Sequence, residues 1–143
     1  KVFKVGIDEY VSRIGHYIPF SIIIIPELKN TKSLSEEQQK QKEGELILKE
    51  IHPGDTVVLL DEHGMELRSV EYAKWLKQKQ NIARRLVFII GGPYGFSPNI
   101  YARSNEKISL SRMTFSHQMV RLIFTEQLYR ACTIIKGEPY HHE

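Results

Sequence analysis

Apolar residues recur at three- and four-residue steps at the start of the chain, at Phe3, Ile7, Tyr10, Val11 and Ile14. That period predicts an amphipathic helix ending near Gly15. Phe20 to Ile25 is a β-branched run closed by Pro26, and it predicts a buried strand. A polar loop follows over 29–34, and then Ser35 with Gln38 three residues on forms a capping-box signature. The helix it opens is polar in its first half, where Lys40 and Lys42 are expected in solvent, and apolar at Leu46, Ile47 and Ile51 before Pro53 and Gly54 stop it. Thr56 to Leu60 predicts the next strand, running into a turn at Asp61, Glu62, His63 and Gly64. Ser69 is the expected cap of a helix carrying Tyr72, Ala73, Trp75 and Leu76. Leu86 to Ile90 is an unbroken apolar run, the pattern of a strand buried on both faces. It empties into Gly91, Gly92, Pro93, Tyr94 and Gly95. Pro98 to Arg103 predicts a short helix and Ile108 to Leu110 a strand. Ser116 caps a final helix whose apolar face is Val120, Ile123, Phe124, Leu128, Ala131 and Ile135.

Strand and helix alternate, so the expected class is α/β, a mostly parallel sheet with helices on both faces, folded as one domain over residues 1–143. The 143 residues are enough to bury a real core. Lys and Arg number 20 against 17 Asp and Glu, a net charge of +3, which permits a nucleic-acid partner without demanding one. The single cysteine, Cys132, leaves no intrachain disulfide and no cysteine zinc site, and is expected as a small buried hydrophobe. The longest aliphatic run, Ile22 to Ile25, is too short to cross a bilayer, so the expected setting is cytoplasmic, with no membrane partner.

In open α/β sheets, ligands sit beyond the carboxyl ends of the strands. Three segments leave strands at one such edge: Leu60 to Gly64, Gly91 to Ser97 and Leu110 to Phe115. Together they suggest a pocket for a flat polar group such as an adenine nucleoside. On its own the glycine stretch reads more simply as a tight turn needing positive φ. Its spacing fits neither the P-loop nor the dinucleotide fingerprint, which disfavours a cofactor with many phosphates. A second cluster lies in and after the last helix: His117, Arg121, Glu126, Arg130, Tyr140, His141 and His142. Arginines on a helix are more often solvated than ligating, and two adjacent histidines without a third ligand argue against a metal.

The segments FIIGGPYGFS, ISLSRMTFSHQMVRLIFTEQLYRA and KGEPYHHE resemble the RlmH-type family of SPOUT methyltransferases, and the likeness extends over nearly the whole chain. The resemblance implies an α/β domain with a C-terminal trefoil knot. It also implies transfer of a methyl group from S-adenosylmethionine to N3 of a pseudouridine in helix 69 of the large-subunit ribosomal RNA. By that resemblance Leu60, Gly91 and the segment Leu110, Ser111, Arg112, Met113, Thr114 and Phe115 contact the cofactor, with Gly92 and Gly95 shaping the loop. It further implies a homodimer with a composite active site, in which residues near one chain's end serve the other. His117, Glu126, Arg130, Tyr140 and His141 match family positions and are the candidate catalytic residues, with no metal. Arg130 is expected to act electrostatically, and Tyr140 or His141 to position the base or take its proton.

Two positions depart from the family: Ser116 stands where proline is usual, and His142 where arginine is frequent. The family also has a strand and short loop before the first helix, which this sequence does not include. A SPOUT enzyme acting on another RNA such as transfer RNA, or a dimeric RNA- or ribosome-binding module without turnover, are the competing readings.

Overall fold

A computed structural model describes residues 1–92 and 94–142. Its elements in chain order are α1 (Val2–Ile14), a 3-10 turn (Thr31–Ser33), α2 (Glu36–Leu48), β1 (Thr56–Glu66), α3 (Ser69–Ile82), β2 (Leu86–Ile90), α4 (Pro98–Arg103), β3 (Glu106–Ser109) and α5 (His117–Ile135). The sheet runs β2-β1-β3, and both pairings are parallel.

The period of two along β1 divides the core. Val58 faces one side with Ile14 of α1, Tyr72, Ala73 and Leu76 of α3, and Phe124, Leu128 and Ala131 of α5. Val57 and Leu59 face the other, against Ile89, Phe96 and Ile100, with Ile47 and Leu48 of α2 packed beside them. Helices therefore cover both faces, as the alternating pattern predicted. The consequence is complete burial of β1's centre, with Val57, Val58 and Leu59 at 0% exposure.

The caps follow from local chemistry. Ser35 Oγ accepts from the Gln38 backbone N–H, and the Gln38 side chain accepts from that of Ser35. Ser116 Oγ accepts from the Met119 N–H at 3.3 Å. At α3 the boundary moves one residue: Arg68 is the cap, and the Glu71 carboxylate accepts its backbone N–H at 2.8 Å.

Several expectations are corrected. Phe20 to Ile25 forms no strand; Ile22, Ile23 and Ile24 are 41%, 57% and 65% exposed. Only Phe20 and, beyond the helix end, Ile18 reach the core. A β-branched run becomes a strand only where a neighbour offers a ladder, and none of the three described strands does. Leu86 to Ile90 is an edge strand, half-buried except at Ile89, because β1 takes the centre. A short apolar run cannot by itself distinguish the two positions.

β1 does not end at Leu60. Leu60 and Met65 both align with Ile108, so residues 61–64 bulge out between two stretches of ladder. A side chain on Gly64 would strike the β3 backbone at 2.6 Å, which explains a glycine there. The expected turn survives inside the bulge, where the Asp61 carboxylate accepts the His63 backbone N–H at 2.9 Å. β3 begins two residues before the predicted strand and ends at Ser109. α2 ends at Leu48, short of Pro53 and Gly54. Lys40, expected in solvent, is half-buried and paired with Glu37 at 3.3 Å.

Candidate functional site

Beyond Leu60, the bulge of β1 and the segment after β3 close around a cavity of about 100 Å³. It is lined by Leu60, Asp61, Glu62, Leu110, Ser111, Met113, Phe115 and Val120. Two of the three predicted strand exits therefore meet. The 110–115 turn is held by its own hydroxyls: Ser109 Oγ donates to the Ser111 carbonyl at 3.0 Å, and Ser111 Oγ accepts the Met113 N–H at 3.0 Å. Arg112 points away, to Glu66 at 3.3 Å, and Thr114 is exposed.

Asp61 fixes the other wall. Its side chain is only 6% exposed, and it accepts the Tyr101 hydroxyl at 2.5 Å. Burial alone would raise this carboxyl, but the Tyr101 hydroxyl and the His63 backbone N–H outweigh it and hold Asp61 below its ordinary value. Tyr101 is pushed up to about 12 by burial and by Asp61.

The third exit lies on a different neighbour. Gly91 packs on the Phe96 ring, where a Cβ would come within 3.0 Å of Cε1. Gly92 rests under Glu43 of α2; a Cβ there would collide with Oε1 and stand 2.8 Å from Oε2. Gly95 has φ of +80° and closes the turn through its N–H to the Gly92 carbonyl at 3.1 Å. The tight-turn reading of the glycines thus holds for the described residues; Pro93 lies outside them.

The end of the chain folds back on α5. The Glu126 carboxylate accepts Arg130 Nη2 at 2.6 Å and the Tyr140 hydroxyl at 2.8 Å. Arg130 Nη1 lies 3.0 Å from His141 Nδ1. Arginine only donates, so Nδ1 accepts and the ring proton sits on Nε2. Burial, followed by Glu126 and Tyr10, pushes the Tyr140 hydroxyl well above its ordinary range. Tyr140 also packs edge-on to Tyr129 at 4.7 Å, and Tyr129 lies 5.9 Å from Tyr10.

Four of the five tail candidates, Glu126, Arg130, Tyr140 and His141, therefore form one network. His117 does not join them. It is exposed at the first residue of α5, and the thirteen residues to Arg130 are a rise of about 20 Å.

Sequence reading did not single out Glu43, Tyr101 or Tyr129, and it placed Asp61 only as part of a turn at the pocket edge. Tyr10 carried a signal as part of α1's apolar stripe. Glu43 sat in a half-helix that composition marked as solvated.

The cavity fits part of an adenosine-bearing cofactor. Its walls are aliphatic and aromatic, with a serine and two carboxylates; Asp61 is engaged by Tyr101 and His63, which leaves Glu62 as the carboxylate suited to a ribose hydroxyl or an ammonium. Among the described residues no group of three or more His, Cys, Asp or Glu could hold a metal ion, and no helix is long and apolar enough to cross a membrane.

A sequence model for a family described as "Predicted SPOUT methyltransferase" matches residues 1–141. The chain is 65% identical over 144 residues to "Ribosomal RNA large subunit methyltransferase H" of Phocaeicola vulgatus, covering all of this chain and 92% of that protein. Proteins of the same name from Bacteroides fragilis and Flavobacterium johnsoniae are 65% and 56% identical. These matches cover 96% and 100% of this chain, and 88% and 92% of the relatives.

Proposed function

The chain belongs to the SPOUT methyltransferase family, and from that membership we propose that it methylates N3 of a pseudouridine in helix 69 of the large-subunit ribosomal RNA. The coarser statement, that it is a large-subunit ribosomal RNA methyltransferase, rests on relatives of that name matched along nearly their whole length. In this reading S-adenosylmethionine is the methyl donor, the assembled ribosome in the cytoplasm is the substrate, and the C-terminal part is knotted.

The observation that carries the reading is the cavity between the bulge of β1 and the segment that follows β3. Leu60, Leu110 and Phe115 supply its apolar walls, suited to a nucleoside. The bound cofactor would supply an activated methyl group on a sulfonium. Leu60, Leu110, Ser111, Met113 and Phe115 would hold its nucleoside end, and the turn at Gly91, Gly92 and Gly95 would shape the neighbouring floor.

A homodimer is part of the proposal. Alignment of a methyl group with its acceptor demands contact distances, yet Val120 at the cavity and Arg130 of the tail network are ten residues apart on α5, a rise of about 15 Å within one chain. A partner whose tail lies over the cavity removes that gap. Arg130 would then face the anionic base or RNA backbone, steered by Glu126, while Tyr140 and His141 position the base.

The test is transfer of radiolabelled methyl from S-adenosylmethionine to ribosomes lacking the modification, with free ribosomal RNA and transfer RNA alongside. Label confined to helix 69 is expected. Label on transfer RNA, or none from protein that binds the cofactor, would overturn the substrate or the activity respectively.

A further inference from the structure

Methylation at an imide nitrogen requires that its proton go somewhere, and the tail network is poorly placed to take it. Glu126 is engaged by Arg130 and Tyr140. The Tyr140 hydroxyl already donates and is held protonated by its surroundings. His141 accepts from Arg130 through Nδ1, so its other nitrogen carries the proton.

Glu43 is different. Its carboxylate lies against Gly92 in the space that a side chain there would fill. No hydrogen bond or ion pair engages it among the described residues. α2 is pressed onto this loop because Gly44, the next residue, lets the helix meet Ser97, Asn99 and Ile100. The placement of Glu43 is thus set by packing on both sides. The ionisable groups facing it are Lys40, one turn earlier on α2 and paired with Glu37, and His117 from the start of α5. Desolvation raises the Glu43 carboxyl, with His117 opposing. Such a shift brings a carboxylate nearer to an imide in proton affinity.

We propose that Glu43 is a catalytic residue, the acceptor of the imide proton during methyl transfer, a role that rests on the function above. The N3 lone pair forms the new bond to the methyl carbon as the S–C bond breaks and its electrons remain on sulfur. The N3 proton passes to the Glu43 carboxylate, which returns it to water.

The experiment uses the full chain with Glu43→Gln and Glu43→Asp. Single-turnover methylation is measured at saturating S-adenosylmethionine and ribosomes, with calorimetric cofactor affinity and an infrared titration of the carboxyl groups beside it. Glu43→Gln should lower the rate by about 10²–10⁴-fold with cofactor affinity unchanged. Glu43→Asp, which keeps the charge but withdraws it by one methylene, should fall between. The infrared difference between wild type and Glu43→Gln should show one carboxyl titrating above the ordinary glutamate range.

A wild-type rate in Glu43→Gln overturns the proposal. So does a loss recovered by raising the cofactor concentration, which would make Glu43 a support for the loop. Full loss in a parallel His117→Gln variant with Glu43→Gln active would give the role to His117. If wild-type protein labels no ribosome, the function itself falls and this step with it.

Discussion

Tyr72 should be replaceable by phenylalanine with a gain in stability. Its ring is stacked on Trp75 at 5.8 Å and the residue is only 7% exposed, but its hydroxyl is buried with no hydrogen-bond partner among the described residues. An unpaired buried polar group costs about 1–3 kcal/mol of desolvation, and deleting it with the ring left in place recovers most of that cost. Tyr72→Phe should therefore stabilise by about 1–2 kcal/mol at neutral pH, raising Tm by about 2–4 °C per kcal/mol in a domain of this size. Trp75 is the only tryptophan, so urea unfolding followed by its fluorescence, with circular dichroism beside it, reads the change directly. A second arm uses alkali. Burial pushes the native Tyr72 hydroxyl above its ordinary value, whereas in the unfolded chain it ionises near pH 10. Stability tied to this group is thus complete below about pH 10 and is lost above it, by up to about 1.4 kcal/mol per pH unit, since the unfolded state releases a proton that the native state keeps. The phenylalanine variant lacks this loss, so its advantage should widen as pH rises. A variant less stable at neutral pH, or an advantage constant between about pH 8 and 11, would refute the reasoning and mean that the hydroxyl is satisfied.

Gly44→Ala gains helix propensity but drives a methyl group into Ser97 and to 3.0 Å from Asn99 Oδ1, so a net loss of about 1–2 kcal/mol in urea unfolding is expected. Asp55→Asn breaks a pair with Arg85 in which the aspartate side chain is 3% exposed, at a cost of about 2–3 kcal/mol at neutral pH. The Arg85 hydrogen bond holds Asp55 below its ordinary value; its contribution is present above about pH 4 and lost as pH falls further, so acid titration should bring variant and wild type together. Tyr140→Phe removes the hydroxyl bond to Glu126 and should cut methyl transfer while leaving cofactor affinity intact; unchanged single-turnover kinetics would exclude Tyr140 from the site.

The helices were readable because their signals are local. Ser35 with Gln38, and Ser116 before an apolar stripe, specify starts that the structure keeps to the residue. Strand positions were less readable because they depend on neighbours far along the chain. Leu86–Ile90 and Phe20–Ile25 look alike in sequence, yet one pairs with β1 over five residues and the other pairs with nothing described. Polar residues in the core were hidden for a related reason. Thr125 and Thr133 are buried at 0% and 1% because their hydroxyls donate to carbonyls one turn back, Arg121 and Leu122 for the first and Arg130 for the second.

The candidate site divides along the same line. Leu60 and Leu110 were foreseeable as neighbours from the expectation that strand exits share an edge, although β1 resumes beyond its bulge and does not end at Leu60. The network of Glu126, Arg130 and Tyr140 was half-visible: Glu126 and Arg130 are four residues apart on one helix face, but nothing local says that the chain turns at Gly137 to bring Tyr140 back. Glu43 was invisible for a sharper reason. Its surroundings come from Gly92, forty-nine residues on, and α2's polar first half disguised the one turn that leaves solvent. A residue recruited by packing carries no periodic signal of its own. Where a glycine loop is tight enough to exclude every side chain, the group that fills the vacated space is therefore the one to examine, and here that group is a carboxylate.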